Sequence, residues 1–214
     1  MKINFILTGE GTSDLRLVDH IETILINEGF SEVSGEAPDL RLFEPPIGNS
    51  VRDKLVTLAK NYPSADVFFV HRDADSAGLI AREREILDSA QNIISAEKII
   101  PVIPVTMLET WLLADTQALK RVAGNQSFRG NIEPLSRNRN LETIANSKQI
   151  LLEVLCLISE TEGARLRKFK NRFQDMRARL TYDLDPDGPV NNLDSYRNFR
   201  AFIRNFSQSK LAGE

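Results

Sequence analysis

Four carboxylates in this chain are distinguished by position. Glu10 lies between two glycines directly after the apolar run KINFIL; Asp73 and Asp75 follow a second run, VFFV; and Glu109 follows a third, IIPVIPV. Carboxylate oxygens are hard ligands, and Mg²⁺ is held by a few of them together with water and substrate phosphate. An ion so held activates water and screens phosphate charge, so the chemistry these residues suggest is phosphoryl transfer or phosphodiester hydrolysis. Alternate residues of an extended segment point to one side, which would let Asp73 and Asp75 share one cation. His20 and His71 have no metal-ligand spacing. His20 falls mid-helix and reads as a surface or packing residue, whereas His71, at a strand end, could line the site. A plainer reading stands beside this one: Glu10 as a turn residue, Glu109 as a helix cap, and Asp-x-Asp as an ordinary acidic loop. No GxxxxGK[ST] loop occurs, so ATP control would have to come from another protein.

The runs that carry these acids read as strands of a parallel sheet. Val67–Val70 is apolar without alternation, as in a strand covered on both faces, and ligands gather at the carboxyl ends of such strands. Residues 14–28 have Leu17, Val18, Ile21, Ile24 and Leu25 at helical spacing, with Thr12 or Ser13 as cap. Residues 38–48 suggest an edge strand carrying Leu40 and Leu42 that runs into a proline-broken loop. Ser50 followed by Asp53 marks the start of a helix reaching Tyr62; 77–91 is helix-forming; Ile99–Val105 is a strand bounded by prolines. A short helix through Leu119 and Val122 stops at Gly124-Asn125. The order strand, helix, strand, helix, strand, helix, strand predicts a layered α/β domain over 1–124.

Beyond it the composition changes. Residues 125–140 are polar and loop-like, and helices are expected at about 141–158, 161–181 and 194–207, forming a helical C-terminal appendage over 125–214. The middle helix has an apolar stripe of Leu166, Phe169, Phe173, Met176 and Leu180. It also carries Arg165, Arg167, Lys168, Lys170, Arg172, Arg177 and Arg179 against Asp175 alone, in a chain of net charge −3. Such segregation suits a nucleic-acid contact or an acidic partner surface. Residues 183–194 (DLDPDGPVNNLD) match a calcium-loop template in part, but Asp194 is short for the twelfth position and two prolines stiffen the loop. A turn with capping carboxylates is the better reading, with Asp194 as N-cap of the last helix. Lone Cys156, the absence of a signal-like segment and the lack of any span-length apolar run suggest a cytoplasmic protein.

ILTGEGTSD, VHRDADSAG and LETWLLAD together resemble the TOPRIM family, in particular the small OLD-like and RloB-like TOPRIM proteins of bacteria, many of them encoded beside ATPases in phage-defence loci. The resemblance covers about residues 1–124. It implies a Mg²⁺-dependent (or Mn²⁺-dependent) nuclease, a hydrolase acting on DNA or RNA and working with an ATPase partner, in which Glu10, Asp73, Asp75 and Glu109 match metal-ligand and catalytic positions. The alternative it leaves open is a non-catalytic subunit that docks on such an ATPase. Arg72 and Asp115 have no counterpart in the motif and receive no role.

Overall fold

The computed structural model describes residues 1–11, 14–137 and 140–213, the side chain of Arg137 excepted. Four strands, β1 (Lys2–Thr8), β2 (Glu32–Glu36), β3 (Val67–His71) and β4 (Ile99–Val102), form one all-parallel sheet in the order β2-β1-β3-β4. Parallel neighbours need crossover connections, which are supplied by α1 (Val18–Asn27), α2 (Val51–Asn61) and α3 (Leu79–Ala90). Strand side chains alternate between faces. Ile3, Phe5, Leu7, Val67, Phe69, Ile100 and Val102 pack with Ile21, Ile24 and Leu25 of α1, whereas Ile6, Phe68, Val70 and Ile99 pack with Leu55 and Leu58 of α2 and Ile86 of α3. Where both faces are covered, as along β3, the strand is apolar without alternation from Val67 to Val70.

The expected α/β architecture with a helical C-terminal region is therefore present, with local differences. Residues 14–28 begin as a 3-10 turn (Asp14–Leu17) before α1, and the caps proposed at Thr12 and Ser13 lie outside the described residues. The edge strand expected at 38–48 is a 3-10 turn, Leu40–Leu42, capped by Asp39, with Leu42 80% exposed. The edge strand is instead β2, EVSGE, whose polar composition hid it. Gly35 is required there, since a Cβ would collide with the Phe5 ring of the neighbouring strand. Ser50 caps α2 by accepting from the Asp53 amide, as its sequence suggests.

After β4 come α4 (Glu109–Leu112), α5 (Thr116–Ala123), α6 (Glu133–Arg137), α7 (Ser147–Ser159), α8 (Gly163–Asn171), α9 (Phe173–Tyr182) and α10 (Asp194–Leu211). Asp115 caps α5 through the Gln117 and Ala118 amides, and α6 occupies part of the expected 125–140 loop. The single helix expected at 161–181 is two, broken at Arg172. Leu119, Leu151, Val154, Leu155, Met176 and Leu180 form a core of their own. α10 does not join it but returns to the sheet: Tyr196, Phe199 and Ile203 enter the β1–β3–β4 core, where Phe199 stacks on Trp111 at 5.5 Å. The two cores do not divide at Gly124: Leu112, Leu113, Leu119 and Ala123 precede it and pack in the second core, whereas α10 follows it and packs on the sheet. Asp194 is the first residue of α10 rather than its cap; the Asp194 and Ser195 amides donate to the Glu142 carboxylate. Among the described residues, no helix is long and apolar enough to cross a membrane.

Candidate strand-end site

The order β2-β1-β3-β4 puts the topological switch point between β1 and β3, the place in an open α/β sheet where neighbouring loops diverge and leave a crevice. Glu10 follows β1, Asp73 and Asp75 follow β3, and Glu109 opens α4 after β4, so the four predicted acids come from three adjacent strands at one edge. The turn at Gly9 passes close to its neighbours. A Cβ there would lie 3.3 Å from Asp14 Cβ and 3.5 Å from His71.

Beyond the strand ends the main chain stays paired. The amides of Arg72, Ala74 and Asp75 donate to the carbonyls of Val102, Pro104 and Thr106. The extended geometry that would aim Asp73 and Asp75 together ends there, because Asp75 has φ +45° and Thr106 φ +61°. Asp73 Oδ1 accepts from the Leu108 amide at 3.1 Å, anchoring the approach to α4, while the Asp75 carboxylate lies 3.6 Å from Arg82.

Among the described residues the acids fall into two ionic networks, an outer one around Arg72 and Arg82 and an inner one around His71 and Arg177. The outer one is half-buried: Arg72 reaches Glu10 at 2.7 Å and Glu85 at 3.1 Å, and Arg82 reaches Glu85 at 2.7 Å and Asp75. Burial pushes the Glu85 carboxyl up, but Arg82 and Arg72 outweigh it and hold the group below its usual value. Lys54 donates to the Gly9 carbonyl at 2.8 Å, and its ammonium is lowered by burial and then by Arg72.

The inner network is buried. His71 has no exposed side-chain surface and sits 3.4 Å from Asp14 on one side and 3.4 Å from Asp73 on the other, ion-pair spacings rather than hydrogen bonds. Burial alone would lower the imidazole, but the two carboxylates together raise it to about 9. Arg177, from α9, places Nη2 3.1 Å from Asp14 Oδ1 and Nε 2.7 Å from Glu109 Oε1; the second contact is ionic, its N–H not aligned as a hydrogen bond. Burial would raise the Asp14 carboxyl, yet His71, Arg177 and the Gly11 amide hold it well below the usual carboxylate range. Glu109 is 2% exposed.

A shared divalent ion is not accommodated by this arrangement. Glu10, Asp75 and Glu109 each face an arginine, Asp73 faces His71 and an amide, and no group of three His, Cys, Asp or Glu among the described residues is placed to hold a metal. The turn at 183–194 is no exception: Asp183 pairs with Arg179, and Asp185 accepts from the Asp187 amide.

Beside Glu10 a cleft of about 620 Å³ opens between the β1 end and the 38–49 loop, with Thr8, Leu40, Asn49 and Lys54 in its wall. The Thr8 hydroxyl is buried, with no hydrogen-bond partner among the described residues. On the appendage, Arg165, Arg167, Lys168, Lys170 and Arg172 are at least partly exposed, with no carboxylate at ion-pair distance among the described residues. Arg179 is exposed and paired with Asp183. Arg177 does not belong to that face; it is 7% exposed and committed to the inner network.

Sequence reasoning missed Asp14 and the roles of His71, Arg72 and Arg177. Arg177 was disguised as one of seven cations in a basic stretch. The available signal was its place next to Met176 and three residues before Leu180, at the border of the apolar stripe. A scan of protein-family models, a search of curated proteins and a search of solved structures return no match to this chain.

Proposed function

We propose that this chain is a nuclease of TOPRIM type, a Mg²⁺- or Mn²⁺-dependent hydrolase of phosphodiester bonds in DNA or RNA, and that the ion-paired acids are its resting arrangement. The observation that supports the reading is convergence: three separate sequence motifs deliver Glu10, Asp73, Asp75 and Glu109 to one edge of the sheet at its switch point. The chain's own cations suit the substrate. Lys54 lines the cleft beside Glu10, where a phosphate would meet it, and the exposed cations of α8 would draw a polyanion by counterion release. The resemblance in motif adds an ATPase partner and a role in phage defence to this reading. Cleavage of single- and double-stranded DNA and RNA with Mg²⁺ or Mn²⁺, comparing wild type with Asp73→Ala/Asp75→Ala, tests it. Loss of cleavage in a folded double variant is expected, and equal cleavage by both proteins would remove the assignment.

A second reading is favoured by the same pairing. Because the acids already have protein partners, the edge would serve as a rigid, charge-balanced scaffold, and the chain as a non-catalytic subunit docking on an ATPase. It is the conclusion to adopt if the wild-type chain cuts no substrate either alone or with such a partner.

A further inference from the structure

We infer that the cleft beside the β1 end is a binding site for a nucleoside monophosphate, with the phosphate on Lys54 and the base against the 38–49 loop. The inference stands apart from the nuclease reading, because it uses the walls of the cleft and asks nothing of the strand-end acids.

The cleft lies where an open α/β sheet receives its ligands. On its way from β2 to β3 the chain must cross β1, and the 38–49 loop and α2 leave about 620 Å³ between themselves and the carboxyl end of that strand. Its wall is divided by chemistry. Thr8, Gly9 and Lys54 form a polar end, held together by the 2.8 Å bond from Lys54 Nζ to the Gly9 carbonyl. Leu15, Leu40 and Ile47 are partly buried and add an apolar wall. A few polar groups set against hydrocarbon in a concavity of this size are the usual make-up of a small-molecule site.

The charges in the wall leave one ammonium over. Glu10 is matched by Arg72 at 2.7 Å and Asp39 by Arg41 at 2.6 Å, whereas Lys54 has no carboxylate at ion-pair distance among the described residues. Lys54 is half-buried on a neutral carbonyl, and burial together with Arg72 disfavours its charge. Thr8, 3% exposed, adds a hydroxyl without a hydrogen-bond partner among the described residues. Buried polar groups normally have partners, so this end of the cleft is short of an acceptor and of a negative charge. A phosphate is both. A single unpaired ammonium suits a monophosphate rather than a triphosphate, whose further charges would meet no cation here.

The 38–49 loop suits the rest of a nucleotide. Asn49 is exposed in the wall, and its side-chain amide has no partner among the described residues. It presents a donor and an acceptor together, the pair that reads an adenine edge. Leu40 and Ile47 of the same loop offer a base an apolar surface to cover. A nucleotide would use all of these features, and inorganic phosphate only the polar end.

The test is calorimetric titration of the full chain with adenosine 5′-monophosphate (AMP), adenosine and inorganic phosphate, for wild type, Lys54→Met and Asn49→Ala. AMP is expected to bind wild type at least about tenfold more tightly than either fragment does. Lys54→Met should lose roughly ten- to a hundredfold in AMP affinity, and Asn49→Ala roughly three- to tenfold. No AMP binding by wild type, or equal affinity in wild type and Lys54→Met, would overturn the inference. Phosphate binding as tightly as AMP would also overturn it, since the apolar wall would then have no use. If Lys54→Met does not fold, Ile47→Asp decides: a carboxylate in the apolar wall should weaken AMP about tenfold, and unchanged affinity overturns the site. Lys54-dependent binding of a 5′-phosphorylated oligonucleotide without binding of AMP would give the cleft to a chain end and remove the free nucleotide. The nuclease reading fails separately. Lys54-dependent AMP binding by a chain that cuts no substrate keeps the site and removes the nuclease, whereas Asp73-dependent cleavage without AMP binding does the reverse.

Discussion

Two histidines are buried in this molecule, and the regions around them solve the same problem in opposite ways. His20, on α1, meets α10 in the hub of the β1–β3–β4 core: its Nδ1–H donates to the Leu184 carbonyl at 2.9 Å and its Nε2 accepts from the Tyr196 hydroxyl at 2.8 Å. Every polar atom of the ring is satisfied by a neutral partner, and burial pushes its pKa down to about 4. His71, at the strand-end edge, has carboxylates on both sides and is held up at about 9. Burial alone disfavours charge at both places. What differs is the company: carbonyl and phenol at the hub, Asp14 and Asp73 at the edge. The hub is therefore a neutral, hydrogen-bonded joint stabilised by aromatic packing, and the edge is a charged joint that stands only while its cations are in place.

Removing one charge should separate the regions most. Arg177→Ala leaves Asp14 and Glu109 buried with reduced compensation and is expected to destabilise the chain by about 3–5 kcal/mol in urea unfolding. Arg177→Met combined with Glu109→Gln should recover part of that loss, because the variant removes both members of the pair; no recovery would mean that packing rather than charge holds this edge. The pH dependence should also divide them. His20 has a folded pKa below its unfolded value of 6.5, so its contribution is present above pH 6.5 and lost as the pH falls through about 4. His71 has a folded pKa above 6.5, so its contribution is present below pH 6.5 and lost as the pH rises through about 9. Each shift corresponds to on the order of 3 kcal/mol. Stability measured against pH should fall on both sides, with the acid limb shallower in a His20→Gln variant.

Tyr196→Phe removes only the hydroxyl that serves His20 Nε2 and should cost about 1–3 kcal/mol, without changing metal or nucleic-acid binding. The smallest stability effect is expected at α8. Arg165→Ala/Lys168→Ala should leave unfolding within about 0.5 kcal/mol of wild type, since both residues are exposed and without ion-pair partners among the described residues. If α8 contacts a polyanion, the same variant should weaken nucleic-acid binding and lower its salt slope by roughly one unit for each phosphate that the removed cations neutralised. An unchanged slope would assign that face to a protein partner instead.

Much of the architecture was legible from local pattern. Apolar runs without alternation marked β1, β3 and β4; helical spacing marked α1 and α9; Ser50 and Gly124 marked a start and a stop. β2 was not legible, because an exposed edge strand reading EVSGE has no apolar face to show, and its place is set by pairing with β1. The break at Arg172 was hidden by an apolar stripe that runs through it.

For the site, the sequence by itself determined which acids follow which strands, since a strand's end and the residue after it are neighbours in the chain. Only the tertiary structure decided what those acids face. Arg177 lies 163 residues from Asp14, and Tyr196 lies 176 from His20. No local spacing can report that a cation from a basic helix turns inward to two carboxylates while its neighbours stay in solvent. That choice depends on how α9 packs beside α4 and α5, where the penalty for leaving Asp14 and Glu109 buried without a counter-charge exceeds the gain from hydrating one more arginine.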